Sequence, residues 1–217
     1  MTPRPVAILG SSGNSIDILD SMLEVNRHLG CEKYQPIGFL DDRAEPGKLV
    51  HGFPVLGPLA KAGTLDSQVL FSTAIGSPAS YRGKPALLCG LGLPLERFAT
   101  IIHPSASVSQ RAELGRGCLI LQQCTLSAGC RIGNHVVMLP GCRVSHDTMV
   151  DDYNVLATGV TLCGYVQVAP NCYLGAGSLV RERLQLGEGC LLGMGSVVVK
   201  SVAAGQRVAG NPARPLL

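Results

Sequence analysis

From Val108 to Val198 every sixth residue is aliphatic: Val108, Leu114, Ile120, Leu126, Ile132, Met138, Val144, Val150, Leu156, Leu162, Val168, Leu174, Val180, Leu186, Leu192 and Val198. Two residues ahead of this series runs a column that is mostly small: Ala106, Ala112, Cys118, Cys124, Cys130, Cys142, Thr148, Cys172, Ser178, Cys190 and Ser196. A period of six fits neither a 3.6-residue helix nor two-residue alternation along one long strand. It fits a short strand and a tight corner, repeated so that successive coils stack into a solenoid. Val144 and Val150 then point inward, and His146, two past an inward position, faces outward near a corner. The rest of that column, with residues such as Gln122, Asn134, Asp152 and Lys200, is polar or small, as a surface requires.

The first hundred residues carry a different pattern. Val6-Ala-Ile-Leu9 is a short apolar run, followed by Gly10-Ser-Ser-Gly13-Asn14-Ser15. Ile16, Ile18, Leu19, Met22, Leu23 and Val25 then form an approximately helical stripe. Pro36-Ile-Gly-Phe-Leu40 reads as a second strand ending at Asp41-Asp42, and Gln68-Val-Leu-Phe71 leads a third towards Thr73-Ala-Ile-Gly76. Strand, glycine-rich turn, helix, strand opens a parallel α/β sheet. Pro78 to Leu95 reads as a helix broken by Gly and Pro, and the repeats begin near His103-Pro104. The chain thus divides into a Rossmann-like α/β portion, 1–100, and a solenoid, 101–217. Beyond Lys200 the period lapses, and Gly210-Asn-Pro-Ala213 reads as a capping tail.

Composition agrees with this division. Charged residues are 15%, aromatics 4%, Trp is absent, and Gly (27) and Pro (14) are plentiful, which suits a narrow aliphatic interior. A net charge of +3 without a Lys/Arg run argues against nucleic acid as a partner. The N-terminal apolar stretch is too short for a signal peptide, and no segment approaches a membrane span. Six of the nine cysteines occupy the small inward column, where Cys acts as a small hydrophobe, and no C-x-x-C pair suggests zinc. All nine read as structural, in a reduced, cytoplasmic protein.

Two places carry chemistry. A glycine-rich turn between a first strand and a helix exposes N–H groups at the positive end of a helix dipole, where a phosphate binds well. Gly10-x-x-Gly13 lacks the middle glycine of the dinucleotide fingerprint, so a tight turn with no ligand remains an equal alternative. Asp41-Asp42 stands where acidic residues of doubly wound sheets meet a ribose or base, or where a turn is simply solvated. His146 followed by Asp147 is the second place. An outward His with a neighbouring carboxylate suits a general base, since its ordinary pKa of about 6.5 lies near working pH.

Together these segments resemble one family, the bacterial nucleotide-sugar acyltransferases of the bacillosamine and sialic acid pathways. The shared features are Ala-Ile-Leu-Gly-x-x-Gly, Gly38-Phe-Leu-Asp-Asp42, Pro54-Val-Leu-Gly57, Ala74-Ile-Gly76, Ile102-His-Pro-Ser-Ala106, Val144-Ser-His-Asp147 and Gly210-Asn-Pro-Ala213. The resemblance implies a left-handed parallel β-helix of triangular section, three hexapeptides to a coil, assembled as a homotrimer. It implies a nucleotide-sugar site drawing on Gly10, Ser12, Gly13, Asn14, Asp41, Asp42 and Gly76, with acetyl-CoA lying along the β-helix between subunits. His146 would be the base, aided by Asp147. Gly164, one eighteen-residue coil later, would offer its N–H to the acyl oxygen. Gly175-Ala176 and Gly193-Met194, also one coil apart, suit either a pantetheine arm or tight corners, and Lys200 is assigned to the CoA phosphates. No metal is expected, because His135 and His146 lack ligand spacing and the repeats hold no third His. His103 reads as structural, His28 and His51 as surface residues, and His135 as outward, near a neighbouring subunit.

The chain departs from the family at three points. Asn14 replaces a His of the glycine-rich loop, Val155 replaces a second His nine residues after the base, and Pro140 replaces an Asn before the base motif. Two rivals stay open: O-acylation of a free sugar or small acceptor, and a non-catalytic scaffold that binds a sugar nucleotide.

Overall fold

The six-residue register becomes a physical stack in a computed structural model of the chain, which describes residues 2–216. Each hexapeptide gives a two-residue strand, and each strand pairs in parallel with the one eighteen residues away, as Leu126 does with Val144 and Val144 with Leu162. Three sheets result. The first face begins at Ile101–Ile102, the second at Ser107–Val108 and the third at Glu113–Leu114, with 8, 6 and 5 strands respectively. The stack therefore starts at Ile101, slightly before the predicted His103. The capping tail is a hairpin, in which Arg207–Gly210 continues the first face and Ala213–Pro215 returns antiparallel to it.

The aliphatic column fills the interior, buried from Ile120 onward. The small column does more than the sequence suggested. Cys118, Cys124, Cys142, Thr148, Asn154 and Cys172 each donate from the side chain to the carbonyl fifteen residues on, at 3.0–3.3 Å for sulfur, 2.8 Å for Thr148 and 3.1 Å for Asn154. These corner carbonyls lie inside the stack, where an unpaired acceptor costs about 1–3 kcal/mol. A buried thiol is thus a donor as well as a space filler. All nine cysteines are free. The three outside the small column differ in setting: Cys31 and Cys89 are exposed and Cys163 is half-buried.

In the N-terminal portion, strands β1 (Arg4–Leu9), β2 (Tyr34–Leu40), β3 (Leu49–Val50), β4 (Phe53–Gly57) and β5 (Leu70–Thr73) form one sheet in the order β3-β4-β2-β1-β5. All neighbours are parallel except the β3–β4 hairpin, which the periodicity did not reveal. Helix α1 (Ser15–Leu29) buries Ile18, Leu19, Met22 and Val25 and stops at Gly30, whose left-handed backbone (φ 65°) closes the last turn. The broken helix of 78–95 is shorter than predicted: a 3₁₀ turn, Tyr81–Gly83, runs into α2 (Lys84–Gly90).

The two portions meet across the first face. Its outward positions Leu119, Val137 and Val155 are buried in the same core as Ile8, Leu19 and Phe39, whereas Arg143 on the second face and Gln167 on the third are exposed. His135, expected to face a neighbouring subunit, is buried in this junction instead. Its ring stacks on Tyr153 (5.3 Å) and meets Phe98 edge-on (4.6 Å), and burial pushes its pKa down to about 4. Lys84 is fully buried beside it and donates to the His135 carbonyl at 2.6 Å.

Burial without a carboxylate partner pushes the Lys84 ammonium down from 10.5 to about 7. The unfolded chain keeps this proton until about pH 10, so it binds more protons than the folded chain between the two values. This group's contribution is therefore full above the unfolded pKa and is lost as pH falls towards 7. Urea unfolding at about pH 7.5 and pH 9.5 is expected to show stability rising with pH more steeply in the wild type than in Lys84→Met, by up to about 1.4 kcal/mol per unit. Equal pH slopes would refute the assignment.

Candidate active site

The carboxyl ends of β1, β2 and β5 surround a cleft of about 590 Å³. β1 lies between β2 and β5, so the order of strands reverses there, and loops on either side diverge to leave the crevice in which open α/β sheets bind ligands. Gly10, Ser12, Gly13, Asn14, Asp41, Asp42 and Gly76, all named from sequence, line it. Leu139 and Tyr173, from the β-helix, form its far wall. Gly10 (φ 90°) turns the chain directly after β1.

The two aspartates are more occupied than a pair of free ligands would be. Asp41 Oδ2 accepts from the Ser11 N–H (2.8 Å) and hydroxyl (2.6 Å), and its Oδ1 accepts from the Arg43 N–H (2.8 Å). Partial burial opposes ionisation, but these hydrogen bonds and the Arg43 charge outweigh it and hold the carboxyl below its ordinary value. Asp41 thus ties the glycine-rich loop to the β2 turn. Asp42 accepts from the Leu59 N–H through one oxygen, leaving the other for a ligand. Asn14 sits at the head of α1, exposed, and its side chain makes no capping bond. Arg43, Ser15, Ser77 and Ser80 line the cleft as well, and no pattern in the sequence marked them.

His146 stands on the corner between the second and third faces. Its Nδ1 lies 2.9 Å from Asp147 Oδ2. A carboxylate only accepts, so Nδ1 is the donor, and in the neutral ring Nε2 is then the free acceptor. Asp147 reaches back because its backbone is left-handed (φ 55°), and Gly129, without a side chain, leaves room for the carboxylate. Gly164 lies against the ring: a Cβ there would be 2.8 Å from both Cε1 and Nε2 of His146. The N–H groups on either side are engaged, Cys163 with Val180 O and Tyr165 with His146 O. The Gly164 N–H has no acceptor among the described residues. Tyr165 adds a contact that sequence reasoning missed, its ring edge-on to His146 at 5.2 Å.

Gly175, Ala176, Gly193 and Met194 fall on the corner between the first and second faces, whereas Lys200 lies on the corner that carries His146, between the second and third faces. Gly175 and Gly193 are explained by crowding, since a Cβ on either would collide with the next coil. Ala176 is half-buried against the junction core, while Met194 (81% exposed) and Lys200 are open to solvent. Gly177 and Gly195, not singled out from sequence, are the glycines of this corner that face open space. The cleft and His146 do not share a corner, because the second face lies between them.

The stacked hexapeptides define a hexapeptide-repeat acyltransferase, here preceded by a sheet with its own ligand cleft. No protein-family model matches the chain. It is 32% identical over 215 residues to the GDP-perosamine N-acetyltransferase of Escherichia coli O157:H7, covering 95% of this chain and 93% of that one. The acetyltransferase domain of PglB from Neisseria gonorrhoeae, solved with acetyl coenzyme A, superposes with a TM-score of 0.86 at 28% identity, over 99% of this chain and 100% of that one. PerB from Caulobacter crescentus, solved with CoA and GDP-perosamine, gives 0.80 at 25% identity, over 98% and 97%. The chain belongs to the bacterial nucleotide-sugar acetyltransferases, acetyl-CoA-dependent enzymes that acylate sugars.

Gly164→Ala is expected to fold normally, because the imidazole can swing aside. If His146 acts on the substrate, a displacement of about 1 Å there should lower kcat by roughly a hundredfold. Steady-state rates beside thermal melts will check this, and an unimpaired Ala variant would remove Gly164 from the site.

Proposed function

We propose that this enzyme transfers the acetyl group of acetyl-CoA to an amino group on a nucleotide-linked sugar, with His146 as general base. What carries the reading is one chain holding both a nucleotide-sized cleft at a strand-order reversal and a His–Asp pair against an unbonded Gly164 N–H. The N-acetyltransferase relative supports an amine acceptor over a hydroxyl. In this mechanism Nε2 of His146 takes a proton from the sugar amine as its nitrogen attacks the thioester carbon. The oxyanion is met by the Gly164 N–H, and Asp147 stabilises the imidazolium. Collapse breaks the C–S bond, and the imidazolium returns its proton to the departing CoA thiolate. Ser12, Gly13 and Asn14 would hold the diphosphate at the head of α1, with Asp42 on the nucleoside.

The same reading takes residues 1–100 as a Rossmann-like nucleotide-sugar portion and 101–217 as a left-handed β-helix. It takes the assembly as a homotrimer. Since the second face separates cleft from His146 within one chain, a base serving a sugar in that cleft would come from a neighbouring copy. Exposed Leu179 and Met149 provide apolar surface for such contacts. Acetyl-CoA would lie in the same seam, past Gly175, Ala176, Gly193 and Met194 towards Lys200. Nine free thiols and an acetyl-CoA substrate support a cytoplasmic location.

His146→Ala is expected to lose at least about a hundredfold in CoA release with acetyl-CoA and the best acceptor of a UDP- and GDP-linked amino-sugar panel, GDP-perosamine included. Near-normal turnover would overturn the base assignment. Nucleotide-linked amino sugars are expected to raise the melting temperature of wild type and variant alike. Protection by free sugars instead would favour the free-sugar rival.

A further inference from the structure

From Gly117 to Gly195 every sixth residue is a left-handed corner residue, and the three corners use that position differently. Between the first and second faces it is Gln123 (φ 57°) and then glycine in four successive coils: Gly141, Gly159, Gly177 and Gly195. Between the third and first faces it is His135, Tyr153 and Asn171, flanked by Gly117 and Gly189. Between the second and third faces it runs Gly129, Asp147, Tyr165, Arg183. A left-handed backbone costs a residue with a Cβ roughly 1–2 kcal/mol and is a true outlier for a bulky one. Side chains at these positions therefore call for a reason.

At the third-to-first corner the reason is docking. His135 packs on Phe98, and Asn171 donates to the Arg82 carbonyl. At the second-to-third corner Asp147 binds His146. Tyr165 (φ 60°) and Arg183 (φ 61°) make no side-chain hydrogen bond among the described residues, and Tyr165 is 43% exposed. What they touch is each other and the imidazole. The Arg183 guanidinium lies 4.4 Å over the Tyr165 ring, and that ring meets His146 at an interplanar angle of 88°. Cation–π contact of this kind helps hold an exposed aromatic ring in place.

We propose that Tyr165, steadied by Arg183, is a positioning residue for His146. The imidazole is exposed, and its one side-chain hydrogen bond, to Asp147, is itself on a half-exposed residue. One such bond leaves the ring free to swing about the Nδ1–Oδ2 axis. Gly164 meets the ring through its backbone alone, with no side chain to hold it. Tyr165 supplies that wall and keeps Nε2 over the Gly164 amide. The pair would act without contacting either substrate, so its removal should change turnover and not binding. The inference rests on His146 being the base.

The test compares Tyr165→Ala, Tyr165→Phe, Arg183→Met and the Tyr165→Ala/Arg183→Met double variant in full-length protein. Acetyl-CoA and the best acceptor of the panel above serve as substrates, with His146→Ala as control. Tyr165→Ala is expected to lower kcat about tenfold with both KM values within about twofold. Tyr165→Phe, which keeps the ring, should stay within about twofold of wild type, and Arg183→Met should add little loss once Tyr165 is Ala. Melting temperature and oligomeric state confirm that each variant is folded. Unchanged kcat in Tyr165→Ala, a change carried by KM alone, or equal loss in Tyr165→Phe would overturn the proposal. If His146→Ala keeps normal turnover, the base assignment fails instead, which separates the two claims.

Discussion

Everything in this molecule depends on a coil of eighteen residues closing on itself with its carbonyls satisfied. Two-residue strands are far too short to be stable alone, so each borrows its partners from the coils above and below. The inward aliphatic column supplies the attraction and the main-chain ladder the register. The corners are the difficult part, since tight turns direct carbonyls into the stack. The side chains of Cys, Thr and Asn that donate to the carbonyl fifteen residues on solve this repeatedly. These residues are chemically unlike in most settings and equivalent here, because all three are small donors.

The same closure decides where function can reside. Inward positions are committed to packing, and outward strand positions of the first face are committed to the N-terminal sheet. What remains free is the corners, and His146 with its Asp147 partner lies on one of them. The cleft likewise follows from topology, for the crevice at β1 exists because its neighbours leave in opposite directions.

Much of this was legible in the residues. The period identified the solenoid and its inward and outward sides, and the three-hexapeptide coil implied by the family resemblance set Gly164 beside His146. The strand, turn and helix of residues 4–29 marked the cleft, and all seven residues named there line it. Other features were hidden for physical reasons. Leu119, Val137 and Val155 recur every eighteen residues as apolar outward positions, yet within a six-residue pattern they look like ordinary strand residues. Only the closed triangle makes them one covered face. His135 occupies a corner much as His146 does in sequence, and tertiary packing on Phe98 and Tyr153 alone buries it. Tyr165 was missed because a ring in a left-handed corner is visible only as a backbone angle.

The stacking also sets a rule for how such a chain can change length. His146 and Gly164 are neighbours because they occupy equivalent points of successive turns, not because anything else joins them. An insertion of one hexapeptide between them would rotate the glycine to another face while leaving an acceptable strand and corner everywhere. An insertion of a whole turn beyond them would lengthen the prism and leave the site untouched. Function in this architecture is therefore quantised: it tolerates added material in whole turns, and a third of a turn is enough to separate the two groups.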